Sequence, residues 1–148
     1  MTRIEMTRAF VEKVVREWLE VSVLTVDSDG DIPVRHGSAA YYIRVVDSDP
    51  PVVSIFSTVL DGVPSSAKLL RHLNDLNARI AQAKVFHSNN RVLMALHLLA
   101  ETITAEELVQ ACTVVADLSD QFDDELKALF EGETAFPDDG TDDDAVEV

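Results

Sequence analysis

The sequence predicts an α+β fold in which helices pack on a twisted antiparallel sheet, and three observations predict it. Apolar residues recur at three- and four-residue steps near the start, in the middle and near the end of the chain. β-branched and aromatic runs, broken by turn residues, fill the two intervals between those stretches. The resulting order of helix, antiparallel strands, helix, β-hairpin, helix cannot be a regular alternation of parallel βαβ units.

The first helix rests on Phe10, Val11, Val14, Val15, Trp18 and Leu19, with Arg8, Glu12, Lys13, Arg16 and Glu17 between them, and it is expected over Ile4 to Leu19. Val23-Leu24-Thr25-Val26 and Ile32 to His36 then read as two strands turning at Asp29-Gly30. Gly37-Ser38 bends the chain into a strand from Ala39 to Val46, which Asp47-Ser48-Asp49-Pro50-Pro51 closes because tandem prolines donate no ladder bonds. Val52 to Leu60 returns beside it.

Pro64-Ser65-Ser66 starts a second helix, whose face of Leu69, Leu70, Leu73, Leu76 and Ile80 runs to about Ala83. Lys84 to His87 and Arg91 to Ala100 pair around Ser88-Asn89-Asn90, where asparagine tolerates the positive φ of a tight turn. Thr104-Ala105-Glu106-Glu107 is a capping box opening the last helix, with its stripe at Leu108, Ala111, Cys112, Val115, Leu118, Phe122, Leu126 and Leu129. Residues 1–131 form one domain on this reading, and residues 132–148 form an acidic tail too poor in apolar side chains to fold.

Charge is segregated. Residues 1–100 hold 11 acids and 11 bases, whereas residues 101–148 hold 16 acids against Lys127 alone, within a net charge of -15. Such a chain repels phosphate backbones, so no nucleic-acid partner is expected. The mixed-charge start is unlike a signal peptide. No apolar run approaches the ~18 residues of a membrane span, so no membrane partner is expected. A lone cysteine, Cys112, excludes an internal disulfide and fits a reducing cytoplasm.

The segment Asp27-Ser28-Asp29-Gly30-Asp31-Ile32-Pro33-Val34, the paired strands after it, and Leu73-Asn74-Asp75-Leu76-Asn77 before a hairpin and a long acidic helix resemble the YbjN family of the actinobacterial type. That family is similar in fold to the chaperones of type III secretion systems. Over residues 4 to 131 the resemblance implies a compact, commonly dimeric α+β protomer without established catalysis. It also implies a role in chaperoning or in sensory transduction regulation, although a chaperone-like fold is not itself chaperone function.

No catalytic constellation is legible, and no cofactor or metal is expected. Asp27, Asp29 and Asp31 suggest calcium by type but not by spacing: an EF-hand loop puts its glycine after the third acid, whereas Gly30 comes early here. The turn-forming reading is preferred. His36, His72, His87 and His97 form no ligand spacing, although His87 and His97 could become cross-strand neighbours. Ser38, Ser54 and Ser57 lack a nucleophile elbow, Cys112 belongs to a packing stripe, and no phosphate-binding glycine motif occurs. Asn74 and Asn77, one helical turn apart beside the apolar ridge, are expected to satisfy backbone groups at a helix–sheet junction, with partner contact as the alternative.

Apolar residues occupy both faces of the strands. Val53, Ile55 and Val59 alternate with Val52, Phe56 and Leu60, and Val92, Met94, Leu96 and Leu98 alternate with Leu93, Ala95 and Leu99. A sheet covered by helices on one side is normally polar on the other, so something should cover the second face. A second copy is preferred and a client protein segment is the alternative. Phe56, Leu60, Leu93, His97, Leu99, Asn74 and Asn77 are the expected partner-binding residues. The function expected is a dimeric, non-enzymatic protein-binding module. A small-molecule-sensing regulator is the rival, marked by a closed pocket around Tyr41, Tyr42 and His97.

Overall fold

The computed structural model describes residues 1–36, 39–130 and 132. Its elements follow the expected order: α1 (Arg3–Leu19), β1 (Ile32–His36), β2 (Ala39–Val46), β3 (Val52–Asp61), α2 (Ala67–Arg79), β4 (Lys84–Ser88), β5 (Arg91–Leu99), a 3-10 turn (Ala100–Thr102) and α3 (Ala105–Phe130). The five strands form one sheet, ordered β1-β2-β3-β5-β4, with every neighbouring pair antiparallel. The α+β prediction therefore holds.

Local chemistry places the ends. Thr2 caps α1 through a reciprocal box: its hydroxyl accepts the Glu5 N–H at 3.2 Å and the Glu5 carboxylate accepts the Thr2 N–H at 2.7 Å. Ser66 caps α2 by accepting the Leu69 N–H at 3.1 Å. Thr104 accepts the Glu107 N–H, but the Glu107 carboxylate returns to the Thr104 hydroxyl and not to its N–H, so only half of the expected box forms. Asn89 and Asn90 take φ of 52° and 60°, the paired left-handed conformation of a two-residue hairpin turn.

Three expectations need correction. Val23 to Val26 form no strand: β1 pairs with β2 alone, and the backbone bonds ahead of β1 are those of the turn, from the Asp27 N–H to the Asp31 carbonyl and from the Gly30 N–H to the Asp27 carbonyl. Helix α2 ends at Arg79, short of Ala83, as the chain straightens toward β4. Leu60 does not lie on the face of Val52 and Phe56: the ladder slips between Thr58 and Leu60, the alternation inverts, and Leu60 is fully buried opposite Val92.

The core lies between one sheet face and the helices. Ile32, Val34, Tyr41, Ile43, Val53, Ile55, Val85, Met94 and Leu96 meet Val11 and Val15 of α1, Leu69, Leu73 and Leu76 of α2, and Leu108, Cys112, Val115 and Leu126 of α3 in one cluster. Gly132 is packed so closely that a Cβ there would stand 2.8 Å from the Asp61 carbonyl oxygen. The rest of the expected tail, and the expected bend at Gly37-Ser38, lie outside the described residues.

Candidate binding groove

The unequal arms of the second hairpin create the site. Strand β4 pairs with β5 only from Lys84–Ala95 to Ser88–Arg91, so β5 runs on through Leu99 without a neighbour on that side. In an antiparallel ladder, backbone groups point alternately toward and away from the partner. The Val85 N–H and carbonyl point outward, both bound by Asn77, so Lys84, Phe86 and Ser88 bond inward to β5. Carried up β5, the same alternation turns the N–H and carbonyl groups of His97 and Leu99 toward the unoccupied edge.

Beside that edge lies a groove of about 660 Å³, floored by Leu96, Leu98 and Ala111, walled by Val109 and Val114 of α3 and by Gln82, and rimmed by Glu107, Gln110 and Thr113. A second concavity of about 410 Å³ shares Gln82 and Val114 and continues along α3 past Ile80 to Leu118 and Phe122. The groove is therefore apolar within and polar at its rim, the composition of a site that desolvates a partner's side chains. The solvent face of α3 beyond it carries Glu106, Glu107, Asp117, Asp120, Asp124 and Glu125 against Lys127.

The expected partner residues separate by place. Phe56, Leu93, His97 and Leu99 share the outer sheet face, where Tyr42 stacks on Phe56 at 5.4 Å between ring centroids. Leu99 is 56% exposed, and His97 lines the groove as well. Burial, with the neighbouring Lys84 charge as a lesser cause, lowers the His97 pKa from 6.5. Leu60 is in the core. Asn77 serves the β4 edge, whereas Asn74 stands in solvent. The groove lining at Gln82, Val109 and Val114 is not among the residues singled out in the sequence. One signal was there: hairpin arms of unequal length leave one arm's end unpaired.

Other candidates resolve into structural roles. The Asp27, Asp29 and Asp31 ligand atoms lie within 4.8 Å of one another. Two of the three carboxylates are already engaged, however: Asp27 Oδ1 accepts the N–H groups of Asp29 and Asp31, and both Asp31 oxygens take the Arg44 guanidinium at 2.7 Å. Tyr41 and Tyr42 point to opposite sheet faces, so the two do not line one pocket with His97 among the described residues. Tyr41 instead meets the Cys112 thiol in the core, and burial pushes that thiol up to about 12. His87 Nε2 lies 2.8 Å from the Val63 carbonyl. No helix among the described residues is long and apolar enough to cross a membrane.

Comparison with known proteins agrees with the fold. The family model for the T3SS (YopN, CesT) and YbjN peptide-binding chaperone 1 matches residues 5–138. Among solved structures, a chain of the ExsC-ExsE complex is similar at a TM-score of 0.64 and 13% identity, over 79% of this chain and 93% of that one. A chain of the HopA1-SchA chaperone-effector complex gives 0.62 at 10% identity, over 80% and 97%. A chain of the heterodimeric ExoU-SpcU complex from the type III secretion system of Pseudomonas aeruginosa gives 0.55 at 12% identity, over 82% and 98%. No curated protein sequence matches.

Proposed function

The chain belongs to the T3SS and YbjN peptide-binding chaperone family, and from that membership we propose that it is a non-enzymatic module that holds an extended apolar segment of another polypeptide between β5 and α3. One observation carries the reading: the unpaired backbone of His97 and Leu99 borders an apolar groove of about 660 Å³. An added strand would take its main-chain bonds from the edge and place alternate side chains against Leu98, Val109 and Val114. The chaperone-effector complex among the solved structures it resembles is consistent with a protein client. Binding of this kind sequesters a segment and performs no chemistry.

Self-association belongs to the same proposal. Val46, Val52 and Leu99 stand in register across the upper margin of the outer face, and Leu99 gives most of its surface to solvent. A second copy covering that row would bury it by two-fold symmetry. The lone buried thiol suits a reducing cytoplasm.

Selection of random 12-residue peptides against the full chain tests the groove. An enriched peptide is added to the protein, and amide hydrogen exchange is followed residue by residue. Protection at His97 and Leu99, lost in Val114→Asp, is expected. Failure to enrich any peptide, or protection confined to another surface, would overturn the reading.

A further inference from the structure

The open end of β5 fixes which side chains of an added strand enter the groove. The Ala100 N–H bonds the Pro51 carbonyl at 3.0 Å on the β3 side, so the backbone groups of Leu99 and His97 face the open edge. Residues paired across a ladder point to the same sheet face. A client residue opposite His97 or Leu99 therefore sends its side chain to the outer face, and the residue between them, opposite Leu98, sends its side chain inward to α3. Leu98 itself pairs with the fully buried Val53, which places this position on the inner face.

Among the described residues that line the groove, Glu107 carries the lone formal charge. His97 adds no cation at neutral pH, because burial, with the Lys84 charge as a lesser cause, holds it below 6.5. Lys84 itself lies over the Phe86 ring on the outer face, at 5.4 Å from the centroid. The rim offers acceptors. Thr113 donates its hydroxyl proton to the Val109 carbonyl at 3.0 Å and so turns lone pairs outward. Glu107 Oε1 accepts the Thr104 hydroxyl at 3.1 Å, and no donor among the described residues reaches Oε2. Ala111, one turn beyond Glu107 on the same side of α3, forms the floor beside that carboxylate.

We propose that the groove selects a lysine or arginine at the client position opposite Leu98, with the methylene stem across Leu98 and Ala111 and the cationic head on Glu107. The inference rests on strand addition at β5 and names the segment's chemistry: apolar where it meets Val109 and Val114, basic at one inward position. Long cationic side chains bury their stems on apolar surface while the head stays at the water's edge. An acidic residue there would meet Glu107 as a like charge, and a wholly apolar one would cover the carboxylate without supplying a donor. The neighbouring Glu106 lines a different concavity, with Val14 and Trp18 of α1, and takes no part in this contact.

Random 12-residue peptides are selected in parallel against the full chain, Glu107→Gln and Glu106→Gln. Glutamine at 107 keeps a side-chain oxygen for the Thr104 hydroxyl, so the start of α3 is retained. Apolar alternation is expected in all three pools, with lysine or arginine enriched at one inward position by the full chain and by Glu106→Gln but not by Glu107→Gln. A peptide selected by the full chain is then titrated beside a copy carrying norleucine in place of the basic residue. The exchange should weaken binding about fivefold on the full chain, as for an ion pair at a solvent-exposed rim, and leave Glu107→Gln unaffected. Apolar pools without a basic preference, a preference that persists in Glu107→Gln, or one lost equally in Glu106→Gln overturns the inference and leaves strand addition standing. So does a norleucine exchange without effect, or with the same effect on both proteins. Failure of every pool to enrich overturns both.

Discussion

Asn77 gives Val85 the two hydrogen bonds that a neighbouring strand would give: its Nδ2 donates to the Val85 carbonyl and its Oδ1 accepts the Val85 N–H, each at 2.8 Å. A side chain of α2 thus occupies the β4 edge at Val85, and on this side of the sheet the upper end of β5 is left open, β1 being the other edge. Edges with unpaired backbone groups invite adventitious pairing, so this one amide helps to decide where a client strand can add. Asn77→Ala leaves two partly buried backbone groups unsatisfied and should cost about 1–3 kcal/mol. Asn74→Ala, in solvent, should change stability by less than about 0.5 kcal/mol. Urea unfolding of the two variants measures the difference, and equal effects would refute the assignment.

Val109 and Val114 are half-buried on the flank of α3, off the stripe that meets the sheet. Val114→Asp should leave the fold intact and weaken a groove-binding peptide at least about tenfold, as expected when a charge enters a desolvated contact. Titration calorimetry with a selected peptide, beside a melting curve of the free variant, separates lost binding from lost folding.

The Tyr41–Cys112 contact makes stability sensitive to alkali. The Cys112 thiol, ordinarily near 9.0, is pushed up to about 12 by burial. Burial raises Tyr41 above its ordinary 10.0 too, with Cys112 adding to the effect. Both folded groups hold their protons where the unfolded chain has released them. The stabilisation is complete below pH 9 and is lost as pH rises toward 12, by about 1.4 kcal/mol per pH unit for each group that titrates in the unfolded chain alone. Unfolding midpoints should fall above pH 9 and fall more steeply above pH 10, and Tyr41→Phe should remove the second slope. A flat profile from pH 9 to 11 would contradict this.

The slip of the β3–β5 ladder is tested by truncation. Leu60→Ala removes a fully buried side chain and should cost about 2–5 kcal/mol. Leu99→Ala removes a mostly exposed one and should cost less than about 1 kcal/mol. If Leu60 stood on the outer face the two would be alike. Chemical denaturation distinguishes the cases.

Arg44 neutralises Asp31, whose side chain is 4% exposed. Arg44→Ala leaves that buried carboxylate with the turn alone and should destabilise the chain by about 1–3 kcal/mol. Exchange of the Asp29 and Asp31 amides, both bound to Asp27 Oδ1, should quicken in parallel.

Element order, the last hairpin turn and the helix starts were legible in residue chemistry, because caps, turns and amphipathic stripes are local: Ser66, Thr104 and the pair Asn89-Asn90 need only their neighbours in sequence. The proposed binding surface was only half legible. Apolar residues on both strand faces pointed to an outer surface at Phe56, Leu93, His97 and Leu99, yet alternation alone carried Leu60 with them, since a bulge appears only when two strands are paired. Val23 to Val26 have strand composition, but a strand also needs a ladder, and none forms between them and β1 although β1 is an edge of the sheet. What tertiary structure alone decided is which backbone groups remain unpaired: Asn77 closes one stretch of edge, β4 stops at Lys84, and α3 passes beside what is left. Local propensity cannot specify that outcome, because it depends on where a helix eight residues before Val85 in the chain sets its amide in space.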